Sequence, residues 1–140
     1  MSANSGPGYR KNPDHRIEAV PARGRLRVTF DGEVIADTAT AIRLDESGYP
    51  TVYYVPRRDV DMSRLARTSH QTHCPFKGDA SYFTLSSRNG RAVINAVWSY
   101  ETPYDEVMSI REHLAFYPNK VDSITFTAAR EEAVAGASRA

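Results

Sequence analysis

Alternation of apolar and polar residues is the dominant pattern of the chain, and it predicts strands. In "RLRVTFDGEVIADT", from Arg25, two alternating runs are joined by Asp31-Gly32. Both central residues of a type I′ turn need positive φ, which this dipeptide tolerates, so a β-hairpin is predicted. Val28 and Phe30 then share one face, and Val34 and Ala36 another. "AIRLDESGYP" predicts a short strand and a Gly-Tyr-Pro turn, and "TVYYVP" a β-branched, aromatic strand closed by Pro56. "RRDVDMSRL" reads as a turn entering a short helical turn. "ASYFTLSS" and "RAVINAVWSY" predict a second hairpin with Asn89-Gly90 at its bend. In its second arm the even positions, Ala92 to Tyr100, form the apolar face, while Val93 and Val97 give the odd face a partly buried character.

One stretch has helical spacing. In "TPYDEVMSIREHLAFYP" Thr102 can cap, Pro103 suits the first position, Asp105 and Glu106 favour the positive end of the dipole, and Pro118 ends the run. Val107, Ile110 and Leu114 would form its buried stripe. "VDSITFT" returns to a strand. The expected fold is mainly β: a compact, twisted antiparallel sheet, tent-like (β-tent-like) or a small open barrel, with one C-terminal α-helix. Residues 1–14 read as a flexible arm, 15–128 as a single β-rich domain and 129–140 as a frayed, alanine-rich tail.

Composition narrows the classes of function. A chain of 140 residues, 41% hydrophobic, can bury one core without disulfides or metals. Its formal charge of +1 lacks the field that gathers nucleic acid or an anionic membrane, so neither is an expected partner. The single cysteine, Cys74, excludes an internal disulfide and every multi-cysteine zinc pattern, and fits a reducing cytoplasm. The N-terminus has no apolar signal region, and no run of about 18 apolar residues is present to span a membrane. A cytoplasmic, unexported protein is expected.

The candidate chemistry is concentrated in "THCPFKGDASYF", residues 72–83. Pro75 forces Cys74 toward an extended backbone and Gly78 permits a tight turn after Lys77, so the peptide reads as a shaped loop. Extended, it places Thr72, Cys74 and Phe76 on one side and His73, Pro75 and Lys77 on the other, which makes His73 and Cys74 poor partners for a direct dyad. Two readings compete. In one, Cys74 is a nucleophile whose base is His70 or His15. In the other, His73 and Lys77 hold a phosphate or carboxylate with help from an N–H near Gly78. Against both stands a Cys74 that is only a small buried hydrophobe.

Other motifs are weaker. His70 and His73 form an H-x-x-H pair, but on a strand the rings diverge and no second cysteine or acidic set completes a site, so no metal is expected. Asp59 and Asp61 have the spacing of a two-metal Asp-x-Asp pair, yet no Gly-Ser phosphate loop precedes them; a solvated turn paired by Arg57, Arg58 and Arg64 is the simpler account. No dinucleotide fingerprint or P-loop is present, and no cofactor is named by the sequence. Tyr53, Tyr54, Tyr82, Phe83, Trp98 and Tyr100 are many aromatics for these strands, and buried tyrosine hydroxyls need partners or a cleft. Asn95, polar amid "VINAVW", is either a loop-pinning residue or a ligand contact.

"THCPFKGDASYF", "YYVPRRDVDM", "NAVWSY" and "HLAFYPNKVD" together resemble the bacterial family known as domain of unknown function 427, which carries a nucleotidyltransferase-like label. The resemblance spans Arg25 to Asp122. It implies a small, stand-alone, mainly β domain and confers no established activity. Carried over residue by residue, it keeps His73, Cys74, Lys77, Gly78, Tyr82, Asn95, Trp98 and Tyr100 as site candidates, with His70 beside them from the local reading. The expected function is binding, with or without transformation, of a small anionic or nucleotide-like molecule at the "HCPFKG" loop: Lys77 and His73 hold the anion, Asn95 orients it, Tyr82 or Trp98 stacks on it, and Cys74 is the candidate nucleophile. The alternative is a non-catalytic binding or assembly module in which the aromatic strands serve a homodimer.

Overall fold

The computed structural model describes residues 4–129. Ten strands form three antiparallel sheets, none closed on itself. The first contains β1 (Ile17–Pro21), β4 (Ile42–Glu46) and β5 (Val52–Tyr54), in the order β1-β4-β5. The second contains β2 (Gly24–Phe30), β3 (Glu33–Thr38) and β10 (Ser123–Ala128), in the order β10-β2-β3. The third has the order β6-β7-β8-β9, from β6 (Leu65–Cys74), β7 (Gly78–Ser86), β8 (Ala92–Tyr100) and β9 (Ala115–Phe116). One short helix, α1 (Gly8–Lys11), precedes them. The fold is mainly β, as the alternation predicts.

Both predicted hairpins form, and their irregularities are informative. Asp31 (φ 51°) and Gly32 (φ 77°) take the left-handed pair a type I′ turn requires. A bulge between Val28 and Thr29 then slips the register, so that Ile35 and Ala36 are both buried and Val34 is 50% exposed. The expected shared face of Val34 and Ala36 is therefore lost. In the second hairpin the Gly90 N–H donates to the Ser87 carbonyl and Gly90 has φ 89°, which gives a three-residue loop, Arg88 to Gly90, instead of a two-residue bend. Asn95, at φ 55°, interrupts β8 with a bulge. Before it Val93 packs on the core and Ile94 is 66% exposed; beyond it both faces are covered. The even-face prediction thus fails at Ile94 because one unpaired residue inverts the alternation.

The expected C-terminal α-helix is a correction. Residues Asp105–Ile110 form 3-10 turns broken at Val107 (φ −127°, ψ 33°), Glu112 sits at φ 60°, and Ala115–Phe116 is strand β9. The buried stripe survives: Val107, Ile110 and Leu114 are at most 1% exposed. What prevents the helix is a backbone bridge in which Leu114 and Val55 exchange two N–H···O bonds of 2.8 Å, fixing Leu114 as extended. Tertiary pairing overrides local propensity here.

Two apolar clusters fill the interior. One, around Leu26, Val28, Phe30, Ile35, Leu85 and Val97, lies between the β10-β2-β3 sheet and the β6-β9 sheet. The other, around Leu44, Tyr54, Tyr82, Tyr100, Val107 and Ile110, lies between the β1-β4-β5 sheet and the β6-β9 sheet. Residues 4–14, expected as a loose arm, lie against the "CPFKG" turn: the Gly8 N–H donates to the Pro75 carbonyl at 3.0 Å, and the Tyr9 hydroxyl to the Phe76 carbonyl at 3.1 Å. Of the expected frayed tail, all but Ala129 lies outside the described residues.

Candidate functional site

The "THCPFKG" peptide is the turn of the β6–β7 hairpin. Cys74 pairs with Gly78 across it, leaving Pro75, Phe76 and Lys77 as the loop. Gly78 has φ 114°, and a Cβ there would stand 3.4 Å from the Thr102 carbonyl oxygen and the Pro103 Cα. The glycine therefore serves the turn, and it does not line the cleft. Phe76 is buried beneath the N-terminal segment, with the His15 ring stacked on it at 4.2 Å. Because Phe76 is pinned there, Lys77 is turned inward.

Lys77 Nζ donates to Glu46 Oε1 at 2.5 Å, and Glu46 Oε2 meets His15 Nε2 at 2.9 Å. The side chains of Lys77 and Glu46 are 13% and 10% exposed, so this is a largely buried ion pair, and the ammonium also sits 5.9 Å from the centre of the Tyr100 ring. Removing one partner of such a pair strands the other. The pair closes one end of a cleft of about 470 Å³ between β4–β5 and β6–β8. Aromatic rings form its walls. The Trp98 indole N–H donates to the Tyr54 hydroxyl at 3.3 Å, and the Tyr117 ring packs 4.4 Å from the indole. Tyr82, joined to the Thr72 hydroxyl at 2.9 Å, and Tyr100 complete the inner surface.

Burial raises the phenols. Tyr117 is pushed up to about 12, first by burial and then by its hydrogen bond with Tyr82. Tyr54 and Tyr100 are displaced upward for the same first reason, burial. All three are therefore neutral O–H groups at physiological pH: they donate hydrogen bonds and do not act as bases. Tyr100 is 7% exposed, and among the described residues its hydroxyl has no hydrogen-bond partner. Its free valence is available to whatever fills the cleft.

Of the sequence candidates, Cys74, His73, Lys77, Tyr82, Trp98 and Tyr100 line the cleft. His73 does so at the rim, where its Nδ1 lies 2.7 Å from Asp79 Oδ1 and its side chain is 55% exposed. Lys77 and His73, the two residues expected to hold an anion, thus each already face a carboxylate. No hydrogen bond joins Cys74 to a histidine among the described residues; it is half-buried against the aromatic cluster. His70 stands outside the cleft with its ring 4.5 Å from that of Tyr82. Asn95 is also outside: its Oδ1 accepts from the Thr68 hydroxyl at 2.6 Å and fixes the β8 bulge, the loop-pinning alternative.

Glu46, Tyr54, Thr72 and Tyr117 line the cleft without having been site candidates. Tyr54 was legible as one of the surplus strand aromatics. Glu46 was not, because the residue it pairs with lies 31 positions away.

The Asp-x-Asp pair is separated in function. Asp59 accepts from the Thr38 hydroxyl at 2.7 Å, whereas Asp61 caps the turn Met62–Arg64 by accepting from Ser63. Of the three arginines expected to pair these carboxylates, Arg64 stands 3.7 Å from Asp61, whereas Arg57 and Arg58 reach Glu101 and Thr40 instead. No cluster of three or more metal-ligating side chains occurs among the described residues. Among the described residues no helix is long and apolar enough to cross a membrane.

A family model described as Domain of unknown function (DUF427) matches residues 18–127, and the chain belongs to that family. No curated protein matches it.

Proposed function

We propose that this DUF427 member binds a small planar, hydrogen-bond-accepting molecule, a heteroaromatic ring of the nucleobase kind, in the cleft between Trp98, Tyr100 and Lys77. The observation that carries this reading is the Tyr100 hydroxyl: neutral, without a protein partner among the described residues, and carried by a residue only 7% exposed that lines a cavity walled by aromatic rings. A ring carbonyl or ring nitrogen accepts from that phenol while its faces lie against indole and tyrosine. The nucleotide-like expectation is sharpened toward the base and away from the phosphate. An incoming phosphate would have to compete with Glu46 for Lys77 and with Asp79 for His73. Ligand recognition by neutral donors also agrees with the formal charge of +1. The reading is one of binding; among the described residues Cys74 has no hydrogen-bonded base that would make it a nucleophile.

Trp98 is the only tryptophan, so its fluorescence reports on the cleft. Titration with purine and pyrimidine bases, their nucleosides, their monophosphates and inorganic phosphate is expected to give saturable responses for base-bearing compounds and none for phosphate. A saturable response to phosphate with none to any base would overturn the proposal.

A further inference from the structure

A second cavity, of about 270 Å³, adjoins the first. Thr51, Val52, Trp98 and Pro118 line both, so the indole is a common wall. The second space lies on the seam between the two apolar clusters: Leu26 and Val28 belong to the aliphatic one, Phe116 and Ile124 pack with it, and Val52 and Trp98 pack on the aromatic one. None of its lining residues is charged. Its hydroxyl-bearing side chains are those of Thr51 and Tyr53. The two cavities thus differ in kind, one ended by an ion pair and phenols, the other apolar.

We propose that the cleft's natural ligand carries a hydrocarbon arm that lies in this second cavity, which defines its class as a planar, hydrogen-bond-accepting ring with an apolar substituent. The inference rests on the binding reading above and deepens it. A sugar or phosphate substituent would set most of its polar atoms against Leu26, Val28, Phe116 and Ile124, with Thr51 and Tyr53 the cavity's hydroxyl-bearing residues, a cost that a hydrocarbon avoids. An arm there gains dispersion contacts with the apolar walls. The shared Trp98 edge sets the branching point: ring on the Tyr100 side, arm on the Ile124 side.

The test is a series of N-alkylated adenines, methyl to hexyl, titrated into the full chain with Trp98 fluorescence as readout. Affinity is expected to rise about fourfold per methylene over the first few members and then level off as the cavity fills. Ile124→Phe, which narrows the second cavity, is expected to flatten the series. Ile124→Ala should move the plateau to a longer chain. Unfolding midpoints of both variants verify that they fold, and the wild-type series stands as a test without them. A methyl compound that binds with no gain on lengthening overturns the arm and leaves the ring site standing; so does a gain unchanged in both variants. Failure of every ring compound to bind overturns the ring site, and the arm with it.

Discussion

The two apolar clusters share the β6-β9 sheet yet solve different problems. The aliphatic half, with Leu26, Val28, Phe30, Ile35, Leu85 and Val97 at 2% exposure or less, places no polar side-chain atom among these residues. The aromatic half replaces aliphatics with Tyr54, Tyr82 and Tyr100, each of which brings a hydroxyl into a packed wall. Two of those hydroxyls are met within the protein, Tyr54 by Trp98 and Tyr82 by Thr72; that of Tyr100 is not, among the described residues. Packing alone would be served by phenylalanine at all three positions. The contrast teaches that one half is shaped by apolar packing alone, whereas the other carries hydroxyls, one of which, that of Tyr100, has no partner within the described protein.

The largest effect that tests this contrast is expected in the aliphatic half. Leu85 is fully buried and lines neither of the two cavities near Trp98. Leu85→Ala should lower stability by about 3 kcal/mol, from lost transfer energy plus the hole left behind. Denaturant unfolding is the measurement, with the midpoint falling at constant slope. A loss below about 1 kcal/mol would show that this half is not tightly packed and would dissolve the comparison.

Alkaline pH addresses the aromatic half. Tyr9 and Tyr117 are raised from 10.0 to about 12, and Tyr54 and Tyr100 are raised as well, in each case chiefly by burial. A raised folded-state value means that above pH 10 the unfolded chain has lost protons the folded chain still holds. The folded state then binds more protons than the unfolded one, so stability falls with rising pH. Stability from these phenols is complete below about pH 10 and is lost progressively as pH climbs through the folded-state values. Phenolate absorbance, followed together with unfolding, should show Tyr54, Tyr100 and Tyr117 titrating only as the structure opens. Titration of these three well ahead of unfolding would place their rings in water.

The strands, the Asp31-Gly32 turn and the single-core scale of the fold were legible because each is encoded within a few neighbouring residues. The Val34 and Ile94 faces were not, since a bulge depends on the partner strand's register as much as on the bulged strand. The helix over Asp105–Ile110 was misread for a related reason: its caps and spacing are local, whereas the Val55–Leu114 bridge that overrules them joins segments far apart in the chain. For the cleft, "HCPFKG" and "NAVWSY" pointed to Lys77, Tyr82, Trp98 and Tyr100, all of which line it. The sequence reading could not show that Lys77 already has Glu46 as its counter-ion, and that pairing is what moves the expected ligand from an anion toward a neutral acceptor.

The smallest expected change in stability is the most discriminating. Tyr100→Phe removes one oxygen that has no partner within the described protein, so it should alter folding stability by no more than about 0.5 kcal/mol. Tyr82→Phe, which breaks the 2.9 Å contact with Thr72, should cost about 1 kcal/mol. For affinity the effect of Tyr100→Phe is larger, since a lost hydrogen bond to a ring acceptor weakens a heteroaromatic ligand about fivefold. The measurement pairs denaturant midpoints with Trp98 fluorescence titrations on the same two variants. A Tyr100→Phe protein that is markedly less stable would mean its hydroxyl serves the fold, and the two halves of the core would then differ only in composition. Unchanged stability with weakened binding would separate them by purpose, because the same atom would be dispensable to the folded chain and needed by its ligand.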